Sequence, residues 1–99
     1  MSMATLMEEE ARLAILKELA KEDNNAISSA RMQIYLLTHL LIDKPREWVE
    51  AQYMFLKDMG AVTIVQADTV KIARLAKRGE LHLQNLISIP GVLCPTARG

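Results

Sequence analysis

Apolar residues recur along this chain with a helical period as far as Gly60 and with a shorter, alternating period after it. Over residues 5 to 21, Leu6, Leu13, Leu16 and Ala20 fall at three-, four- and seven-residue spacings, with Ile15 and Leu19 beside them. Ala, Leu, Glu and Lys dominate the stretch and neither Gly nor Pro interrupts it, so it predicts an amphipathic helix. Glu8, Glu9 and Glu10 in its early turns and Lys17 and Lys21 near its end suit the helix dipole. The three acids read as a solvated face, with an acidic docking element as the alternative. Asp23-Asn24-Asn25 stops this helix, because Asn tolerates the left-handed conformation of a C-terminal cap. Ser28 or Ser29 can then accept from the free N–H groups of a second helix, expected over residues 30 to 41. It should bury Met32, Leu36, Leu37, Leu40 and Leu41, with Ile34 widening the stripe. Asp43-Lys44-Pro45 supplies a capping acid and a first-turn proline for a third helix over residues 45 to 59. Gly60 closes that helix as a left-handed cap. Val49, Tyr53 and Leu56 should face inward, and only three or four residues link the second helix to the third.

From Ala61 the period shortens. Residues 61 to 65 are rich in β-branched side chains, residues 66 to 68 are polar, and in 69 to 73 Val70 and Ile72 share one face, which predicts a two-stranded hairpin. No Asn-Gly or Asp-Gly pair is present, so the expected turn is looser than two residues. Residues 75 to 85 predict a short fourth helix weakened by Gly79. Ile87, Ile89 and Val92 then alternate around Pro90-Gly91 as an extended tail across the core, with fraying expected in the last few residues. Three helices, a hairpin, a short fourth helix and a tail, with a tight link between helices 2 and 3, is the order of a winged helix-turn-helix domain. The expected fold is therefore α+β, mainly α, forming a single domain over residues 1–99 with an ordered core at about 5–93.

Composition limits what such a domain can do. The chain has 99 residues, 51% of them apolar and 24% charged, which is globular composition for one core. Twelve basic side chains balance twelve acidic ones, so no global field draws the protein to nucleic acid or an anionic membrane. The balance is local: residues 1 to 60 carry seven bases and ten acids, residues 61 to 99 five bases and two acids. Any electrostatic footprint is expected in the C-terminal part. Cys94 is the only cysteine, which excludes an intramolecular disulfide and makes a reducing compartment, the cytoplasm, the expected location. The three glutamates interrupt any signal-peptide core, and the most apolar run, residues 34 to 42, is about half the length of a membrane span.

Several segments resemble a known family. Residues 49 to 62, with Leu56-Lys57-Asp58-Met59-Gly60 leading into the first strand, resemble the junction between recognition helix and wing in bacterial winged-helix proteins. Leu75-Ala76-Lys77-Arg78-Gly79 resembles the step that follows their wing. Ile89-Pro90-Gly91-Val92 followed by Pro95 is similar to the tail of a small ArsR-like family of Mu-like phages and prophages. The resemblance covers most of residues 10 to 95. It implies a winged-helix architecture, a phage or prophage setting in a bacterial host cell, and a DNA-related role. Where the family tail is basic before its last proline, this chain has Leu93-Cys94, which argues against a DNA contact there.

The fold offers two surfaces for a function. On the outward side of helix 3, Arg46, Glu47 and Glu50 would lie near bases, with Met54, Lys57 and Asp58 beside them; this face is not basic. The hairpin and the residues after it carry Lys71, Arg74, Lys77 and Arg78, with His82 nearby, as candidate phosphate contacts. Trp48, Gln52, Phe55 and Met59 form a second apolar stripe on helix 3. Trp48 either packs under the wing or tail or, with Met54, forms part of a protein interface. His39, His82 and Cys94 lie in separate segments, so no metal or other cofactor site is expected, and no nucleophile is paired with a base, so no enzyme is expected. The leading expectation is a DNA-binding transcriptional regulator or accessory DNA-handling factor engaging double-stranded DNA. The alternative is a non-catalytic interaction module that binds itself or another phage protein. Neither a membrane nor a small-molecule substrate is implied.

Overall fold

A computed structural model describes residues 2–95; the expected fraying of the last residues lies outside them. The elements run α1 (Met3–Lys21), β1 (Ala26–Ser28), α2 (Ser29–Leu40), α3 (Arg46–Asp58), β2 (Val62–Ala67), β3 (Val70–Leu75) and α4 (Lys77–Leu83). This is an α+β chain, mainly helical, with four helices and one three-stranded antiparallel sheet among the described residues.

The α1 helix starts two residues before the expected position, where the Ser2 hydroxyl accepts from the Thr5 N–H. Its inward surface is not the single stripe expected from Leu6 to Ala20. Ala11, Leu13, Ile15, Leu16 and Leu19 are buried, whereas Leu6 and Ala20 are exposed. The reason is tertiary: α1 packs on α2, α3, α4 and β3, so a wide arc of its later turns is covered, while residues 2–6 stay exposed beside the end of α2.

The connection after α1 holds an element that the sequence pattern missed. The left-handed cap expected of Asp23-Asn24-Asn25 is not made: α1 ends at Lys21 with Glu22 as an extended C-cap, and Asn25 takes its positive φ four residues later, in the turn that leads into the strand β1. Ala26, Ile27 and Ser28 pair with Arg74, Ala73 and Ile72 of β3. A strand of three residues is too short to show an alternating pattern of its own; its partner, nearly fifty positions away, defines it. Sheet order is β1-β3-β2, with β3 central. The hairpin is also tighter than expected. Gln66 and Ala67 belong to β2, Ala67 pairs with Val70, and only Asp68 and Thr69 remain as the turn. Asp68 supplies the positive φ of 57° that Asn or Gly would ordinarily supply in such a turn.

Of the two serines, Ser28 is the N-cap of α2, accepting from the Arg31 N–H, and Ser29 is fully buried. Met32 and Leu36 enter the core, but Ile34, Leu37 and Leu41, expected to be buried, are exposed. Leu41 ends the helix in the left-handed conformation and Ile42 takes the inward position instead. The link to α3 is five residues, 41 to 45, and Asp43 makes no cap: Pro45 is the N-cap residue, without a side-chain bond. Val49, Tyr53 and Leu56 are buried as expected, and Gly60 takes the expected positive φ.

The fourth helix is shorter than expected, and Gly79 lies inside it because nothing larger fits. A Cβ there would meet the Ala61 carbonyl oxygen at 2.5 Å and a Leu75 methyl at 2.7 Å, so the glycine lets α4 close onto the root of the hairpin. The tail then crosses the core as expected, burying Ile89 and Val92. The fully buried His82 holds it. The Ile89 N–H donates to His82 Nδ1 at 3.1 Å, and Nε2 lies 2.9 Å from the Leu93 carbonyl. Those two partners assign the proton to Nε2. His82 is therefore a fastening of the tail and not a member of a basic surface.

Candidate nucleic-acid interface

The α2–α3 pair and the β2–β3 hairpin meet at one buried hydroxyl. Ser29 Oγ, at the first turn of α2, donates to Glu50 Oε2 on α3 at 2.7 Å and accepts from the Lys71 N–H of β3 at 3.1 Å. Lys71 lies just beyond the last paired residue of β1, so this side chain continues the β1–β3 ladder past its end. The same carboxylate oxygen of Glu50 is 3.8 Å from Arg46 Nε, one turn earlier on α3. Glu50 is thereby turned into the protein and engaged twice.

Of the three helix residues expected near bases, Glu47 is exposed, Arg46 is partly covered and tied to Glu50, and Glu50 is the least accessible. Ala51, Met54, Lys57 and Asp58 complete the exposed side of α3. Its charges nearly cancel. Trp48 is half-buried against the core, with the Lys44 ammonium 5.9 Å from its ring centroid. The rest of its stripe is covered by other elements. Arg12 of α1 lies 3.7 Å above the Phe55 ring, donates to Gln52 Oε1 at 2.8 Å and donates to the Gly91 carbonyl at 2.9 Å. The tail and α1 therefore occupy the apolar surface of α3 that seemed in excess when the helix was considered alone.

The four bases assigned to phosphate contact do not form one patch. Side chains alternate across a strand, so Lys71 projects on the face that carries buried Ala73, and Arg74 on the opposite face. Lys71 Nζ donates to Gln66 Oε1 at 2.9 Å near the hairpin tip. Arg74 donates to the Asn24 carbonyl at 2.6 Å and fastens the α1–β1 connection. Lys77 pairs with Glu80 at 3.6 Å, and Arg78 Nε donates to the Met59 carbonyl at 3.0 Å, at the C-terminal end of α3. Each guanidinium has further donors open to solvent, and Arg74, Lys77 and Arg78 are all exposed. The result is one base whose backbone N–H meets Ser29 while its ammonium lies toward the hairpin tip, and a second at the other end of α3, where Arg78, next to Lys77 in the chain, reaches Met59.

No protein-family model, curated protein or solved structure matches this chain. Among the described residues no three His, Cys, Asp or Glu side chains gather as a metal-binding group, and no helix is long and apolar enough to cross a membrane. The buried polar hub at Ser29 was only half legible in the sequence. A serine pair at a helix start signals a cap, but which serine caps and which turns inward depends on β1.

Proposed function

We propose that this chain is a non-catalytic winged helix-turn-helix domain that binds double-stranded DNA, a transcriptional regulator or accessory DNA-handling factor of a phage or prophage. In this reading α2 and α3 are the helix-turn-helix and the β2–β3 hairpin is the wing. The observation that carries it is the coupling of Lys71 to α3 through Ser29 and Glu50. That hydrogen-bonded chain fixes the angle between hairpin and helix, so that bases at both ends of α3 can straddle a groove while its exposed side enters it. Glu50 then sets the hairpin in place rather than touching a base, and Arg46 and Glu47 remain the base-proximal pair.

A face whose charges nearly cancel makes DNA binding weak, with the shallow salt dependence of few phosphate contacts. Fluorescence anisotropy with a mixed-sequence duplex should show affinity falling with salt at a log–log slope of roughly −3, for three or four neutralised phosphates. Lys71→Ala and Arg78→Ala should each reduce that slope by about 1 without selecting among sequences. Absence of binding at low salt and tens of micromolar protein, on the order of the weakest non-specific affinities, would overturn the reading.

A further inference from the structure

A surface to which no hairpin residue contributes has no partner among the described residues. On α2, Ile34, Leu37 and Leu41 follow one another at three- and four-residue spacing and all three are exposed, Leu41 to 84%. Leu41 adjoins the first turns of α1: Met3, which is 81% exposed, Leu6 and Met7 line a shallow depression with Leu40, Leu41 and Ile42. The depression runs on, through the shared Glu10 and Leu40, into a cleft of about 460 Å³. Leu13, Ala14, Lys17 and Tyr35 line its walls, and Leu93, Cys94 and Pro95 close its end. Along α1 the groove reaches from Met3 to Lys17, about 21 Å at 1.5 Å per residue. Large apolar side chains displayed together over several hundred Å² are uncommon on a monomer's surface and mark a contact face.

We infer that this α1–α2 groove is the two-fold interface of a homodimer, with α1 of one copy lying antiparallel along α1 of the other. Charge complementarity selects a second copy as the occupant. Glu10 and Lys17 both line the groove, two helical turns apart, so a two-fold axis passing between them sets each Glu10 against the partner's Lys17. A patch rimmed by one sign of charge would repel its own copy. This one attracts it, and the chain's formal net charge of zero adds no long-range repulsion. The first turns of α1 lie by the C-terminal end of α2, and Lys17 by Tyr35 nearer its start. The same axis therefore carries the exposed Met3 and Leu6 of each copy along the partner's α2, toward Ile34 and Leu37. The axis falls between Leu13 and Ala14, opposite Tyr35, and the exposed Leu41 lies toward the outer end of the contact, beside Met3 and Leu6. The inference stands apart from DNA binding and is tested without DNA.

Sedimentation velocity across a concentration series provides the test. The wild-type chain should pass from monomer to dimer in the micromolar range. Ile34→Glu with Leu41→Asn should be monomeric while keeping the far-ultraviolet circular dichroism and melting temperature of the wild type, since both side chains are exposed and Asn tolerates the left-handed backbone of position 41. Glu10→Lys alone and Lys17→Glu alone should each weaken the dimer roughly tenfold, and the double reversal should restore it. A wild-type chain that is monomeric at about 0.1 mM, a hundredfold above a micromolar Kd, would show that the groove serves a different partner and sink the inference. So would a dimer indifferent to these substitutions, or charge reversals that do not compensate.

Discussion

Ser29 ties together three elements that the chain visits far apart, and its loss illustrates what a buried hydroxyl does. In Ser29→Ala the Lys71 N–H and the Glu50 carboxylate would each lose a partner in a place with little access for water. An unsatisfied buried group costs about 1–3 kcal/mol, so a loss of about 2 kcal/mol is expected in urea unfolding. Ser28→Ala, which removes only the cap bond to the Arg31 N–H, should cost about 1 kcal/mol. Equal effects of the two substitutions would contradict the hub. Tyr53, fully buried with its hydroxyl donating to the Ile27 carbonyl at 3.0 Å, gives a second residue-scale expectation. Burial raises its pKa well above the ordinary value of 10.0; Arg31 opposes that shift and Glu50 adds to it. The fold thus favours the neutral phenol. Its stabilisation is complete below pH 10 and declines as pH rises beyond that, where the unfolded chain ionises and the folded one resists. Circular dichroism followed into the alkaline range should show unfolding that Tyr53→Phe, which has no proton to lose, reduces.

At the scale of elements, the tail behaves as part of the core. It is held at three points: His82 takes the Ile89 N–H and faces the Leu93 carbonyl, Arg12 takes the Gly91 carbonyl, and the Leu93 N–H donates to the Glu9 carbonyl of α1. His82→Ala would remove the first and leave a cavity under α4, with an expected cost of about 2–4 kcal/mol. Limited proteolysis should then cut between Leu86 and Pro95 before the helices are attacked. A variant whose tail stays protected would show that Arg12 and the packing of Ile89 and Val92 suffice. The helix α3 illustrates the same dependence from the other side. Its stripe of Trp48, Gln52, Phe55 and Met59 looks like surplus apolar surface until Arg12 and the Pro90–Gly91 turn are placed over Phe55.

Across the whole molecule, two surfaces divide the functional possibilities. The hairpin flank carries scattered bases around a neutral helix face, so the DNA reading stands or falls on salt dependence, and the duplex titration measures it. The α1–α2 flank is apolar and two-signed, so the dimer reading stands or falls on concentration dependence. A dimer built on the second flank would leave both hairpins free. The two readings are therefore compatible and separately refutable.

The amino-acid sequence by itself determined the helices, the inward positions of α3, the hairpin, the left-handed position at Gly60, and a tail that crosses the core. Each of these is governed by local backbone preference or by a period long enough to register. Tertiary structure alone decided the rest. The strand β1 exists only because β3 lies beside it. Ser29 and Glu50 turned inward because the hairpin needed a bond past the end of β1. Ile34, Leu37 and Leu41 stayed outside because α1 does not cover that side of α2. The four bases separated because alternation along β3 and the closure of α4 over Gly79 sent them to different faces. Residue type sets which groups seek burial or charge, but which of them find a partner is settled only when distant segments meet.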